Sequence, residues 1–195
     1  MASVKRSGQR KHPRIALRQL KLYETLDPLV ELQSLDFESG LNIVQGDAEE
    51  SAELFESGHG IGKTTLCRLI RYCLGEKSYG QKHVVAEVCH CFPKSYVGAI
   101  VDVDGSEWTI LRSLGKSSKH YASKGATFAE LIEEKDSKSF PEFLDAVDSA
   151  VLKGMAVENV LAGSQSIQWL HVRAMCSRDQ ESLSLIHISE PTRPY

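Results

Sequence analysis

Residues 56–66 read ESGHGIGKTTL, and the reading of this stretch decides what the chain is. Gly58, Gly60 and Gly62 allow a backbone that turns tightly enough for successive N–H groups to point inward. Lys63 adds a positive charge and Thr64 a hydroxyl. A helix follows at once: TTLCRLIRYCL (64–74) places Leu66, Leu69, Ile70, Cys73 and Leu74 on one face and Arg68 and Arg71 on the other, and Gly75 stops it. Before it, LNIVQG (41–46) is a short apolar run with the profile of a buried strand. Strand, glycine-rich turn and helix in this order make an anion cradle, with the positive end of the helix dipole beneath the bound group.

The pattern is that of a Walker A loop, Gly58-His59-Gly60-Ile61-Gly62-Lys63-Thr64-Thr65. Lys63 is expected on the β- and γ-phosphates of a nucleotide and the Thr64 hydroxyl on Mg²⁺. The strict spacing asks for glycine at position 57, which is Ser57. Gly46 is the better first glycine, which makes residues 47–57 an acidic insertion (DAEESAELFES) read as an exposed flap. A regulatory lid is the alternative, tested by deleting 48–55.

At 195 residues, 42% hydrophobic and 25% charged, the composition is that of one globular domain. No run approaches the ~20 apolar residues of a membrane span, and the N-terminus lacks the apolar core of a secretory signal. The expected location is the cytoplasm. A net charge of -3 argues against a uniformly basic nucleic-acid binder. Residues 1–13 read as a basic, solvated arm, although such an arm can touch phosphates. Among five cysteines, only Cys89-His90-Cys91 cluster. On a strand the two thiols would share a face and could share a metal. No second ligand pair stands at zinc-like spacing, so reduced, partly buried thiols are the better account.

Residues 14–23 and 29–37 alternate as two strands about a turn at Asp27-Pro28. VGAIVDVDGSEWTILRSL (97–114) reads as a hairpin turning at Asp104-Gly105. Residues 127–136 and 139–153 read as helices opened by Thr127 and Ser139, and a last apolar-patterned segment begins near Ser166.

Residues 14–182 resemble the N-terminal lobe of the ATPase head in SMC-like and SbcC-type ATPases, the ABC-related group with long coiled coils. GLNIVQG, GIGKTTL and VDVDGSEWTILRSL carry the resemblance. It implies an α/β P-loop NTPase fold with an antiparallel hairpin subdomain, ATP and Mg²⁺ as cofactors, and Lys63 as the catalytic cation. It also implies a Q-loop glutamine reaching the metal, Gln180 or, behind it, Gln168. The parent protein would dimerise head to head, work with an accessory subunit, and act on DNA in repair, chromosome handling or defence against foreign DNA. Arg14 and Arg18 are possible nucleotide contacts, but surface charges are the simpler reading.

In this family the Walker B strand and the signature segment lie far downstream. This sequence has no LSGG-like segment, and only Ala99-Ile100-Val101-Asp102, which also opens a D-x-x-G, loosely satisfies a Walker B strand. The closing SLSLIHISEPTRPY resembles the translation of a sequencing-adapter read. Residues 183–195 are therefore expected to be non-native and the record to stop before the hydrolytic half; a genuine tail is the alternative. A complete small GTPase or kinase-like enzyme using Asp102, or a module that binds nucleotide without hydrolysing it, are the competing readings.

Overall fold

A computed structural model describes residues 13–45, 62–134, 139–152 and 168–176. Its frame is a mixed α/β arrangement around one five-stranded antiparallel sheet of order β2-β1-β3-β4-β5. Strand β1 (Ile15–Leu26) turns through Asp27-Pro28 into β2 (Leu29–Asp36), as the alternation predicts. The other side of β1 pairs with β3 (Tyr96–Val103), Leu20 opposite Ala99. Strand β3 returns as β4 (Ser106–Ser113) through a two-residue turn in which Asp104 and Gly105 have φ of 51° and 85°. Both left-handed angles are those of the tight turn that suits strand twist. The Gly105 N–H donates to Asp102 Oδ1 at 2.8 Å and closes it.

Helices cover both faces of this sheet. On one face, α1 (Lys63–Cys73) and α4 (Ser139–Leu152) pack on Val97, Ala99, Val101 and Ile110, with Trp108 edge-on to Phe143. On the other, α3 (Phe128–Glu134) sets Leu131 and Phe128 against Tyr23, Leu111 and Tyr121. Gly98 makes that approach possible, since a Cβ there would stand 2.6 Å from Phe128 Cε1. Strand β4 is thus buried on both faces. The start of α3 is fixed by a reciprocal cap: the Glu130 N–H donates to Thr127 Oγ1 and the Thr127 N–H to Glu130 Oε2, 2.8 Å.

Two elements were not read from the sequence. Strand β5 (His120–Lys124) pairs with β4, and α2 (Lys82–Cys91) follows α1. One expected element is missing: Leu41–Gln45 forms no strand, and Leu41 and Ile43 are 89% and 81% exposed. An apolar run becomes a buried strand only if a neighbouring strand pairs with it, and none of the described strands runs beside this one.

The ring of His120 lies between Tyr72 and Phe140, 6.0 and 5.7 Å from their centroids, beside Arg112. Burial first, and then the Arg112 charge, lower its pKa to about 4. In the unfolded chain the imidazole takes its proton near pH 6.5. Between those values the unfolded state therefore binds more protons, so stability falls as pH drops from about 6.5 to 4. Allowing for solvent screening of a half-buried ring, the loss attributable to His120 is about 1–2 kcal/mol. Urea titrations of the parent and of His120→Phe at pH 7 and pH 4.5 check this. The variant should lose less stability than the parent; equal losses reject the assignment.

Candidate functional site

Helix α1 starts where the sequence motif places it. Gly62 is its N-cap with φ 75° and ψ 8°, and its carbonyl accepts the Leu66 N–H at 2.8 Å. Nothing would lie within 4 Å of a Cβ at this position, so glycine is required for its left-handed backbone and not for space. No side chain caps the helix and its first turn holds no acid. The N–H groups and the positive dipole end are therefore uncovered by any described side chain, an arrangement that suits an anion. Lys63 and Thr65 are exposed and Thr64 half-buried beside them. Gly58, His59, Gly60 and Ile61 lie outside the described residues, as does the acidic insertion.

Beside Gly62 and Lys63 opens a cavity of about 800 Å³ between α1 and the sheet. Its walls are chiefly apolar, with Leu22, Phe37, Val44, Leu66 and Ile70 among them. Such walls do not suit a triphosphate. The polar groups stand at the rim, with Lys63, Thr65, Asn42 and Gln45.

Of the glutamine candidates, only Gln168 is among the described residues, and it is not brought to this end. Gln180 lies outside the described residues. Gln168 stands at the far end of α1, just before α5 (Trp169–Cys176), where the Trp169 indole N–H donates to Leu74 O at 2.8 Å. With a helical rise of about 1.5 Å per residue, that end is about 16 Å from Lys63. Gln168 therefore does not serve a site at Lys63. Its backbone N–H donates to His171 Nδ1 at 3.1 Å.

The other charged candidates have structural partners. Arg14 donates from Nη1 to the carbonyls of Ala150 and Val151 near the end of α4. Arg18 donates to Ser39 Oγ at 3.1 Å and lies 3.8 Å from Asp102. Asp102 caps the β3–β4 turn, five residues along β3 from Val97, which lines the cavity beside Lys63. At about 3.3 Å per residue that is a separation of about 17 Å. Cys89-His90-Cys91 is helical, which corrects the strand reading. Two residues apart on a helix turn about 200° and the thiols diverge. Cys89 lies 3.3 Å from the carbonyls of Leu114 and Gly115, and Cys91 is exposed. Among the described residues, no three metal-type side chains converge.

The sequence placed the end of α1 at Gly75 but did not disclose what holds that end. A left-handed Gly75 (φ 100°) turns the chain, and the N–H groups of Gly75 and Glu76 bond back to Tyr72 O and Arg71 O, both at 3.0 Å. Two arginines, each 5% exposed, add to this from outside the helix. Arg112 of β4 donates from Nη1 to Tyr72 O and to Glu76 O, the latter at 2.8 Å, with its guanidinium 3.6 Å above the Tyr72 ring. Arg173 of α5 donates to Arg71 O and Leu74 O at 3.2 and 3.4 Å. Burial lowers the pKa of both; the proximity of Arg173 lowers Arg112 further, and the Glu76 carboxylate holds Arg173 up. The only sequence signal was a charge inside an apolar strand, at Arg112.

No family model, curated protein or solved structure matches the chain. Among the described residues, no helix is long and apolar enough to cross a membrane.

Proposed function

We propose that this chain is the ATP-binding N-terminal part of an SMC-like or SbcC-type ATPase head, a P-loop NTPase. The observation that carries the reading is the bare start of α1, where a left-handed Gly62 leads into Lys63 and Thr64 with no capping side chain and no acid in the first turn. These groups fit a nucleotide's phosphates: Lys63 and the first-turn amides meet the negative charge that grows in phosphoryl transfer. Mg²⁺ would be held by the Thr64 hydroxyl and would offset phosphate charge. The exposed Leu41 and Ile43 and the apolar cavity beside α1 support the same reading. They are the surfaces that the strands of the remaining head would cover. The parent protein would then act on DNA as a head-to-head dimer with an accessory subunit.

Asp102 fits poorly as the carboxylate that activates water, since its Oδ1 accepts the Gly105 N–H in the β3–β4 turn and Arg18 stands 3.8 Å from its Oδ2. The chain is therefore expected to bind ATP without appreciable turnover. Titration calorimetry with Mg·ATP and Mg·GTP tests this. Lys63→Ala should weaken ATP binding about tenfold or more, a loss of about 1.4 kcal/mol or above. Undiminished binding in Lys63→Ala would reject the cradle. Turnover by residues 1–182 that Lys63→Ala abolishes would instead reject the truncated-head account and favour a complete small enzyme.

A further inference from the structure

We propose that Asn42 is a positioning residue for the nucleotide site at the start of α1, a role that rests on the reading of Lys63 as a phosphate-binding cation. Its side-chain amide sets the course of Leu41–Gln45, which shares a cavity with Gly62 and Lys63. This segment forms no strand and its five residues are exposed, so neither a sheet ladder nor burial in the core fixes its path. The Asn42 amide supplies what a ladder would. Its Oδ1 accepts the Glu38 N–H at 2.9 Å, and its Nδ2 donates to Glu38 O at 2.9 Å and to Gly40 O at 3.3 Å. One amide thus serves both backbone groups of Glu38, as an antiparallel partner residue does. The loop so closed passes through a left-handed Gly40, with φ 111°.

The base of the loop is tied to β1. The Phe37 N–H donates to Arg18 O at 2.8 Å, and Arg18 Nη1 donates to Ser39 Oγ at 3.1 Å. Phe37 before the loop, and Asn42, Val44 and Gln45 after it, line the cavity that Gly62, Lys63 and Thr65 also line. With its base held by Arg18 and its closure by Asn42, the loop delivers Val44 and Gln45 to that wall. Gln45 lies three residues beyond the clasp, a reach of about 10 Å, so the direction set at Asn42 decides where Gln45 stands. A wall fixed before the ligand arrives spares binding the entropy of ordering it. Without the clasp that cost falls on the ligand and appears in the affinity.

The test compares the full chain with Asn42→Ala by Mg·ATP calorimetry, amide hydrogen exchange read by mass spectrometry, and urea denaturation. The variant should bind ATP about three- to tenfold more weakly. Residues 37–45 of its ligand-free form should exchange faster than in the parent, while the urea midpoint stays where it was, because the loop lies outside the core. A residue with a purely structural role would instead lower the midpoint and leave the affinity alone. Unchanged ATP affinity in Asn42→Ala, with the parent chain binding ATP, overturns the positioning role and leaves the cradle standing. Weaker binding without faster exchange would mean that Asn42 meets the ligand directly, and also overturns it. Failure of the parent chain itself to bind ATP would overturn the cradle, and the positioning role with it.

Discussion

Gly115→Ala should destabilise the chain by about 3 kcal/mol or more, an unusually large effect for one added methyl group. A Cβ at Gly115 would lie 2.2 Å from Pro93 O, 2.4 Å from Pro93 C and 2.9 Å from Phe92 O. All three are backbone atoms, so no side chain can rotate to make room. The two segments are also tied together on either side of the contact. Leu114 N–H and Gly115 N–H both donate to Ser95 O, at 2.9 and 3.3 Å, and Lys116 N–H donates to Pro93 O at 3.0 Å. Relief therefore requires breaking this ladder. The control is Gly80→Ala, whose Cβ would meet nothing nearer than Val84 Cγ1 at 3.5 Å and should shift stability by less than about 0.5 kcal/mol. Urea denaturation followed by circular dichroism compares the two; equal midpoints would show that the loop yields and that the close approach has no cost.

Arg112→Met should cost about 2–4 kcal/mol. Methionine keeps most of the stem that packs in the core but removes a charged donor from Tyr72 O and Glu76 O, and a cation from above two rings, Tyr72 at 3.6 Å and Phe140 at 4.6 Å. The Glu76 carbonyl loses this partner, while Tyr72 O keeps the Gly75 N–H. Arg112→Lys should recover little, because a point charge cannot stack flat on a ring and bond two carbonyls together. Unfolding free energies from urea titration decide the matter. A methionine variant as stable as the parent would mean that taking the guanidinium out of water costs as much as its bonds return.

The parts legible in the sequence were those decided by local chemistry. Asp104-Gly105 announced its turn because two successive left-handed residues are sterically easy there, and Thr127 announced a helix start. The start of α1 at Lys63 followed from the glycines before it. What failed was decided by distant partners. KHVVAEVCHC has strand-like residues, yet it is helical, with Val85 and Val88 packed on the core from one side of α2. HYASK has no alternation to detect, because Tyr121 and Ala122 are buried on opposite faces of β5. LNIVQG carries the signal of a doubly covered strand without a described neighbour to cover it. Arg112 and Arg173 were passed over because charges are rarely expected in a core, and nothing local shows that the end of a helix waits for them.

Helix α1 is a cantilever. One end is clamped by β4 through Arg112 and by α5 through Trp169 and Arg173, and the other end presents Lys63 with no described side chain capping it. A load applied at the Lys63 end of such a beam is passed along it to its root. Any pull on Lys63 by a bound ligand would therefore register about 16 Å away, where a strand and a second helix already hold the same turn.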